Sequence, residues 1–464
     1  MTALPTLRAP DRPDRQSARR LLPWGTAVAA LGIALWLNLA NLGVPTWRYD
    51  ELVYRDAGWA YLHGNLTSNR EHPPLGKYLI GVVELAAGRG TDIRVVAVVA
   101  SLVTGAILAA FAWRLAGRLA AAVAFAAWTL LPHAVQGGVV RLDRFLFLDP
   151  LMAAWATGAL YLAYRRRPWL AGLLLGAAVA TKVPGALYLP GVLVLVGAAW
   201  WRALAAAVAA FAAAYAPYGT GALDALRYMV DFQDSAAAHG HPVLVAGHHY
   251  LHAPWWSHLW WQWQAYDGVG CAVLVVAAVA TVGLVPDRRT TLALVLAVLV
   301  PLAALSAHGV KLPYYFYDWQ PPLTLLAAVG LVAMLRRAGG LALRDRLAGA
   351  AALAGLAVLA SLAGSAGHRV AAEMPADYAL LPGVVPAHGR VAVWGFASVA
   401  SAYLPHRDVV AATPQTVATS PVVVVDRRQA AAAPRPALER ALRAGPERRV
   451  VQLRGGLTVY EQAG

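Results

Sequence analysis

The sequence predicts an all-α polytopic integral membrane protein with a small α/β domain at its C-terminus, on the extracytoplasmic side. Three observations carry this. The chain has 464 residues, 59% hydrophobic and only 14% charged, whereas soluble domains run at about 45–50% apolar and about 25% charged. Apolar runs of about eighteen residues or more recur along most of its length, each long enough for a bilayer-spanning helix. The runs are Ala/Leu/Val-rich and do not alternate. That pattern favours helices over a closed barrel, the other structure that satisfies its own backbone in lipid.

Residues 1–23 are polar and rich in Pro and Arg, and read as a disordered basic N-terminus on the cytoplasmic side. The first apolar run is long enough to remain as an anchor rather than a cleaved signal. The predicted transmembrane region covers 24–365, with spans at 24–44, 92–113, 119–136, 146–163, 168–182, 184–200, 203–219, 268–285, 290–306, 321–335 and 347–365. That makes about eleven helices. The pair 168–182 and 184–200, joined at Lys182-Val183-Pro184-Gly185, reads either as two helices or as one kinked unit.

Arginine placement orients these spans. With the N-terminus inside, the short inner segments hold Arg114 and Arg118, the run Arg165-Arg166-Arg167, Arg202, Arg288-Arg289, and Arg336, Arg337, Arg344 and Arg346. The outer loops are 45–91, 137–145, 220–267 and 307–320, and their cations are sparser. The bias follows the positive-inside rule and also accounts for the formal charge of +15. Cations dispersed along loop edges suit anionic headgroups, and nucleic acid is not an expected partner. The single cysteine, Cys271, lies in an apolar run, so no intramolecular disulfide forms and no cysteine metal site exists. Residues 366–464 lose the membrane pattern. Strands are expected at 391–397, 421–427 and within 448–461, and a helix at 437–444, forming an extracytoplasmic domain.

Long loops gather on the predicted outer face, where chemistry is expected. The first of them begins WRYDELVYRDAGWAYL, and its two helix-like stretches, 50–63 and 75–87, suit the interface, where Trp and Tyr settle. Asp50 and Glu51 then lie at the mouth of the first span. Partial desolvation there raises a carboxylate toward useful basicity. The plainer reading is a capping pair, with Asp50 as N-cap and Glu51 at the favourable end of the dipole.

The order of motifs resembles the GT-C membrane glycosyltransferases of the protein O-mannosyltransferase and aminoarabinose-transferase group. The matching pieces are Asp50-Glu51, Glu71-His72-Pro73-Pro74-Leu75-Gly76-Lys77, Arg144-Phe145-Leu146-Phe147-Leu148-Asp149-Pro150, Ala180-Thr181-Lys182 and Lys311-Leu312-Pro313-Tyr314-Tyr315, over roughly residues 24–335. The resemblance implies transfer of a sugar from a polyprenyl-phosphate carrier to a protein, lipid or glycan hydroxyl. Asp50 would be the base, with Glu51 beside it. Lipid phosphate is already a good leaving group, so one base plus cations suffices, unlike the two carboxylates of glycoside hydrolases.

The phosphate-binding candidates are Lys77, Arg141, Arg144, Lys182 and Lys311, with Tyr314 and Tyr315 beside the last. Each has a bland counterpart. Arg144 could pair with Asp143 or Asp149, Lys182 could snorkel from a helix end, and Lys77 could anchor at the interface. Glu71 and His72 either face the sugar or phosphate, or merely belong to a proline-fixed turn. The His-Pro-Pro-Leu-Gly-Lys turn points to mannose, with aminoarabinose or another pentose as the alternative.

Loop 220–267 carries the His/Trp-rich stretch 239–263. His249-x-x-His252 could bind a metal on one helical face, and His249 loosely matches a family His-x-Tyr step. Its tryptophans suit an aromatic belt or sugar stacking. No cofactor is required by this chemistry, and a divalent cation is compatible with it. A transporter or flippase remains the reading from another class, although the helix interiors are nearly free of the midplane charges such proteins use.

Overall fold

A computed structural model describes residue 28 and residues 31–132, 141–337, 343–432 and 434–462. The predicted N-terminal tail 1–23 lies outside the described residues, as do residues 137–140 of loop 137–145.

The first described helix, α1, covers 31–39. Two shorter helices follow, α2 (Tyr49–Leu62) and α3 (Leu75–Ala87), close to the two interfacial helices expected. They cross at Gly58 and Gly81. A Cβ at Gly58 would lie 2.6 Å from the Lys77 carbonyl oxygen and 2.7 Å from the Gly81 nitrogen, so only glycine allows this approach.

α4 (Val95–Leu130) is one helix by length but breaks at Gly117, with φ +80° and ψ −172°. Only glycine takes that conformation readily, and Arg336 donates to the freed Ala116 carbonyl. The break falls between the expected spans 92–113 and 119–136.

α5 (Leu148–Tyr164) and α6 (Pro168–Thr181) form an antiparallel pair joined by the three-arginine turn, and Pro168 opens α6 where its missing N–H costs nothing. α6 ends at Thr181, Lys182 is extended, and a 3-10 turn at Val183–Tyr188 leads into α7 (Leu189–Val196). The two-helix reading of 168–200 therefore holds, but α7 is short. α8 (Trp200–Tyr215) follows closely.

Loop 220–267 holds more structure than expected: α9 (Ala222–His239), the hairpin β1 (Val243–Val245) with β2 (His248–Tyr250), and α10 (Ser257–Ala265). The hairpin turns on Ala246 and Gly247, both with positive φ, as two-residue hairpins require. α10 meets α11 (Val269–Leu284) at a 106° bend. The bundle closes with α12 (Arg288–Ala307), α13 (Gln320–Arg337) and α14 (Leu343–Ala371).

Among the described residues, four helical stretches are long and apolar enough to cross a membrane, or five if the bent α10–α11 pair counts as one span. That is fewer than the eleven runs read from hydropathy, because several of those runs are short helices joined through Pro and Gly breaks.

The C-terminal unit is a five-stranded sheet of order β4-β3-β5-β7-β6: β3 (Arg390–Trp394), β4 (Asp408–Ala411), β5 (Val422–Asp426), β6 (Arg448–Gln452) and β7 (Leu457–Gln462). β4, β3 and β5 run parallel, whereas β7 is antiparallel to both β5 and β6. All of β5, Val422-Val423-Val424-Val425-Asp426, is buried, as a central strand covered on both faces must be. The covering helices are α15 (Ala397–Tyr403), α16 (Pro414–Thr419), α17 (Arg427–Ala432) and α18 (Pro436–Ala444). β4, α15 and α16 lie outside the elements read from the sequence. Leu52 of α2 is buried in the same apolar cluster as Val391, Val393, Val422 and Val424, so the sheet unit and the helical bundle share part of a core.

Gly58→Ala is expected to lower the thermal midpoint of the purified protein, at a cost of about 1–3 kcal/mol for overpacking against backbone. Gly364→Ala, which meets nothing within 4 Å, is expected to leave the midpoint unchanged.

Candidate functional site

The start of α2 is fixed by Glu51. Its Oε1 accepts from the Arg48 backbone N–H at 2.8 Å and from Arg94 Nη2 at 2.9 Å. Its Oε2 accepts from Arg94 Nε at 2.7 Å and from the Leu146 N–H at 2.9 Å. Both side chains are fully buried. Arg94 also donates to the Leu42 and Pro45 carbonyls at 3.0 and 2.9 Å, and its guanidinium lies 4.3 Å from the centroid of Trp47. A fork-on-carboxylate pair with every other polar atom engaged is stable where a lone charge would not be. Against the expectation that Glu51 serves catalysis, these contacts support a structural role: it holds the helix start, with both oxygens engaged. The N-cap is Arg48, not Asp50.

Asp50 follows a different course. It sits one residue earlier, about 100° round the helix from Glu51, and Tyr314 Oη donates to its Oδ2 at 3.4 Å. Burial pushes its carboxyl up to about 6; the Lys182 charge opposes this, and Asp149 adds to it. Lys182 Nζ pairs with Asp149 Oδ1 at 2.6 Å and lies 4.7 Å from the Tyr315 centroid and 5.9 Å from that of Tyr314. Tyr314 in turn stacks on Phe147, with centroids 5.1 Å apart. The structure therefore brings together Asp50, Lys182, Tyr314 and Tyr315 from three distant stretches of chain.

His72 borders the cluster through the edge of Tyr54, at 5.7 Å. Burial first, then the charges of Lys182 and Lys77, push its imidazole down to about 3, so it is neutral at pH 7. Glu71 accepts from Asn69 Nδ2 at 2.7 Å, within the same turn.

The other expected phosphate ligands are engaged elsewhere. Lys77 Nζ donates to the Asn69 carbonyl, to Asn69 Oδ1 at 3.3 Å and to the His72 carbonyl at 2.7 Å. An ammonium has three donors, and all three are used inside the turn. Burial holds Lys77 down to about 7, against the Glu71 charge. Arg141 is buried against Asn38 Oδ1 (3.2 Å), Asp143 Oδ1 (3.0 Å) and the Leu131 carbonyl (2.9 Å). Arg144 donates to the Leu37, Ala40 and Asn41 carbonyls at the end of α1 and to Glu373 at 2.8 Å. It is a helix-end clamp, and its partner is neither Asp143 nor Asp149. Lys311 donates to the His308 carbonyl at 2.6 Å.

Two carboxylates belong to the site although the sequence reading missed their place in it. Asp149, which the sequence offers only as a possible partner of Arg144, is the partner of Lys182. Asp318 is fully buried beside that pair, and burial, with the Asp149 charge adding to it, holds its carboxyl well above the ordinary range. The signal available for Asp318 was a lone acid inside the aromatic run Tyr314-Tyr315-Phe316-Tyr317-Asp318-Trp319.

The helical premise for His249 and His252 fails, because β2 ends at Tyr250 and a bend follows. Among the described residues, no group of three or more His, Cys, Asp or Glu side chains is placed to hold a metal ion. His249 instead lines a cavity of about 470 Å³ together with Arg48, Tyr49, Tyr314 and the loops of the sheet unit.

The arrangement can be set beside known proteins. The family model for dolichyl-phosphate-mannose-protein mannosyltransferases matches residues 71–217. The undecaprenyl phosphate-alpha-4-amino-4-deoxy-L-arabinose arabinosyl transferase of Pseudomonas aeruginosa (strain UCBPP-PA14) is 31% identical over 357 residues, 69% of this chain and 62% of that protein. ArnT from Cupriavidus metallidurans, solved bound to undecaprenyl phosphate, superposes with a TM-score of 0.57 at 16% identity, over 97% of this chain and 98% of that one. The chain belongs to the GT-C superfamily of PMT- and ArnT-like glycosyltransferases.

The archaeal oligosaccharyltransferase AglB from Archaeoglobus fulgidus, in complex with an inhibitory peptide and a dolichol-phosphate, shares the GT-C fold. Its TM-score is 0.53 at 13% identity, over 88% of this chain and 70% of that one. The chain spans 62% of the length of the curated relative of Pseudomonas aeruginosa. The expectation of a mostly helical GT-C membrane protein with a small C-terminal sheet region holds.

Two variants separate the neighbouring acids. Glu51→Gln is expected to lower the thermal midpoint at pH 7.5, because it breaks a buried pair worth about 3–5 kcal/mol when one partner is lost. Asp50→Asn is expected to raise it. A carboxyl raised from the ordinary value of 3.8 to about 6 penalises the folded state above pH 6. The gain should vanish below pH 4, where Asp50 is protonated in both states. Midpoints of the two variants across pH 3.5–8 check both statements.

Proposed function

We propose that this chain transfers a glycosyl group from a polyprenyl-phosphate-linked donor to an acceptor hydroxyl, with Asp50 as the base. One observation carries the reading. Asp50 is poised near pH 6, held by Tyr314, and placed beside the Lys182 ammonium. A base with that pKa is mostly ionised at pH 7 and still basic enough to accept a proton.

In the transfer, the acceptor oxygen attacks the anomeric carbon as its proton passes to Asp50. The bond from that carbon to the phosphate oxygen breaks, and the phosphate leaves with the electron pair. Lys182 supplies positive charge where negative charge accumulates on the leaving group. Attack opposite the phosphate inverts the anomeric centre. Tyr314 orients Asp50, and its stack on Phe147 keeps the phenol in place.

For the sugar, the names of the curated relatives favour a 4-amino-4-deoxy-arabinose or related pentose. The mannose reading rested on the His-Pro-Pro-Leu-Gly-Lys turn, and that turn says little about the sugar. Lys77 is bound to carbonyls inside it, and His72 sits at the edge of Tyr54. The arginine-rich turns, at Arg165-Arg166-Arg167 and at Arg288-Arg289, support a cytoplasmic placement for the end of the bundle opposite the sheet. The site and the sheet unit then face outward from a bacterial plasma membrane.

The test uses purified protein in lipid nanodiscs with a radiolabelled undecaprenyl-phosphate pentose and a membrane-lipid extract as acceptor. Asp50→Asn is expected to reduce label transfer by about 10²–10⁴-fold. In the wild type, transfer should fall about tenfold per pH unit below pH 6, because only the ionised base accepts the proton. Label transfer by Asp50→Asn at the wild-type rate would overturn the assignment.

A further inference from the structure

The C-terminal sheet has a feature the chemistry above does not use. β3 leaves its carboxyl end toward β4 on one side, and β5 leaves toward α17 and the antiparallel strands on the other. The crevice between them is a topological switch point, the place where open α/β sheets bind ligands. In this chain the crevice does not face bulk solvent alone. It opens into the cavity of about 470 Å³, whose opposite wall includes Tyr49 and Tyr314, next to Asp50. That volume falls within the range of about 300–1,000 Å³ usual for small-molecule sites.

The walls are specific. Tyr378 Oη donates to Asp426 Oδ2 at 3.3 Å and accepts from the Phe396 N–H at 3.0 Å, so it bridges the ends of the two parallel strands. Arg428 Nη2 pairs with Asp377 Oδ2 at 3.0 Å. Asp377 is mostly buried, takes a left-handed φ of +52°, and packs its Oδ1 against Gly455, where only glycine leaves room for it. A left-handed backbone at a non-glycine residue is the kind of local strain that clusters at ligand sites. Two aromatic pairs flank it: Tyr49 with Phe396 at 5.6 Å, and Phe147 with Tyr314 at 5.1 Å.

We infer that this crevice binds the acceptor, and that the acceptor is an uncharged carbohydrate. The inference rests on the transfer reading above and names its second substrate. A sugar ring offers a C–H face to aromatic rings, whose faces are electron-rich, and a rim of hydroxyls to carboxylates and guanidinium groups. The charged side chains lining the cavity are Arg48, Arg428, Asp377 and Asp426, two of each sign. That balance suits a neutral polyhydroxylated ligand and disfavours a phosphorylated one. A hydroxyl held here by Arg428, which Asp377 orients, is carried past Tyr314 toward Asp50.

Saturation-transfer NMR on the full chain in lipid nanodiscs tests this. The probes are maltotriose, hexyl β-glucoside, a Ser/Thr-rich octapeptide and inorganic phosphate. Saccharide signals are expected from the wild type and from Asp50→Asn. They should weaken about tenfold in Asp377→Asn and Arg428→Gln, as expected for a lost charge-assisted hydrogen bond. Preference for hexyl β-glucoside over maltotriose would support a glycolipid source, and the reverse a free glycan. Phe396→Leu, which keeps all four charges, is expected to weaken both saccharides and guards against misfolding of the charge variants. Saccharide signals that are absent, that are unchanged in all three cavity variants, or that are replaced by peptide or phosphate signals would overturn the inference. Binding that persists while sugar transfer fails would count against the transfer reading alone.

Discussion

The fully buried Glu51–Arg94 pair is the constraint on which the site depends. Its two charges are affordable in a desolvated place because each oxygen accepts two hydrogen bonds and the guanidinium reaches two further carbonyls. The pair ties α2 to the chain before it, to the start of α4, and to the backbone at Leu146. With Glu51 locked, the helix has one rotation available, and that rotation sends Asp50 toward Tyr314 and Lys182. Two consecutive acids thus take opposite roles through their hydrogen-bond environments, not through any intrinsic difference between Asp and Glu.

A similar division runs through the cations. Of the five basic residues first considered for phosphate, four donate mainly to backbone carbonyls or to structural acids, and Lys182 alone stands in the cluster. Segments that leave a membrane helix carry carbonyl groups without partners, and little water is present to satisfy them. Arginine, with five donors in a fixed fork, serves several carbonyls at once. Arg144 does this at the end of α1, and Arg94 does it before α2. Positive charge near a membrane surface is therefore ambiguous between ligand binding and backbone satisfaction until its acceptors are known.

The helical membrane class and the C-terminal sheet region were legible in the sequence. Long Ala/Leu/Val runs have one reading in lipid, and β5 is a continuous valine run. Less was legible where tertiary contacts decide. The breaks at Gly117 and at Val183–Tyr188 look like ordinary Gly and Pro inside apolar sequence. α9 was hidden because a polar helix on a surface resembles a loop in hydropathy. Asp318 was hidden because its partners, Asp149 and Lys182, come from far away in the chain. The pairing of Lys182 with Asp149, and not of Arg144 with it, depends on side-chain reach that spacing does not encode.

The position of Leu52 has a mechanical consequence. Its side chain belongs to the apolar core of the sheet, yet it stands two residues from Asp50 on the same turn of α2. The aim of the carboxylate is thereby borrowed from a water-facing appendage. Rocking that appendage by a small angle would swing the acid like the short arm of a lever, so cutting the appendage away would leave the helix without its pivot.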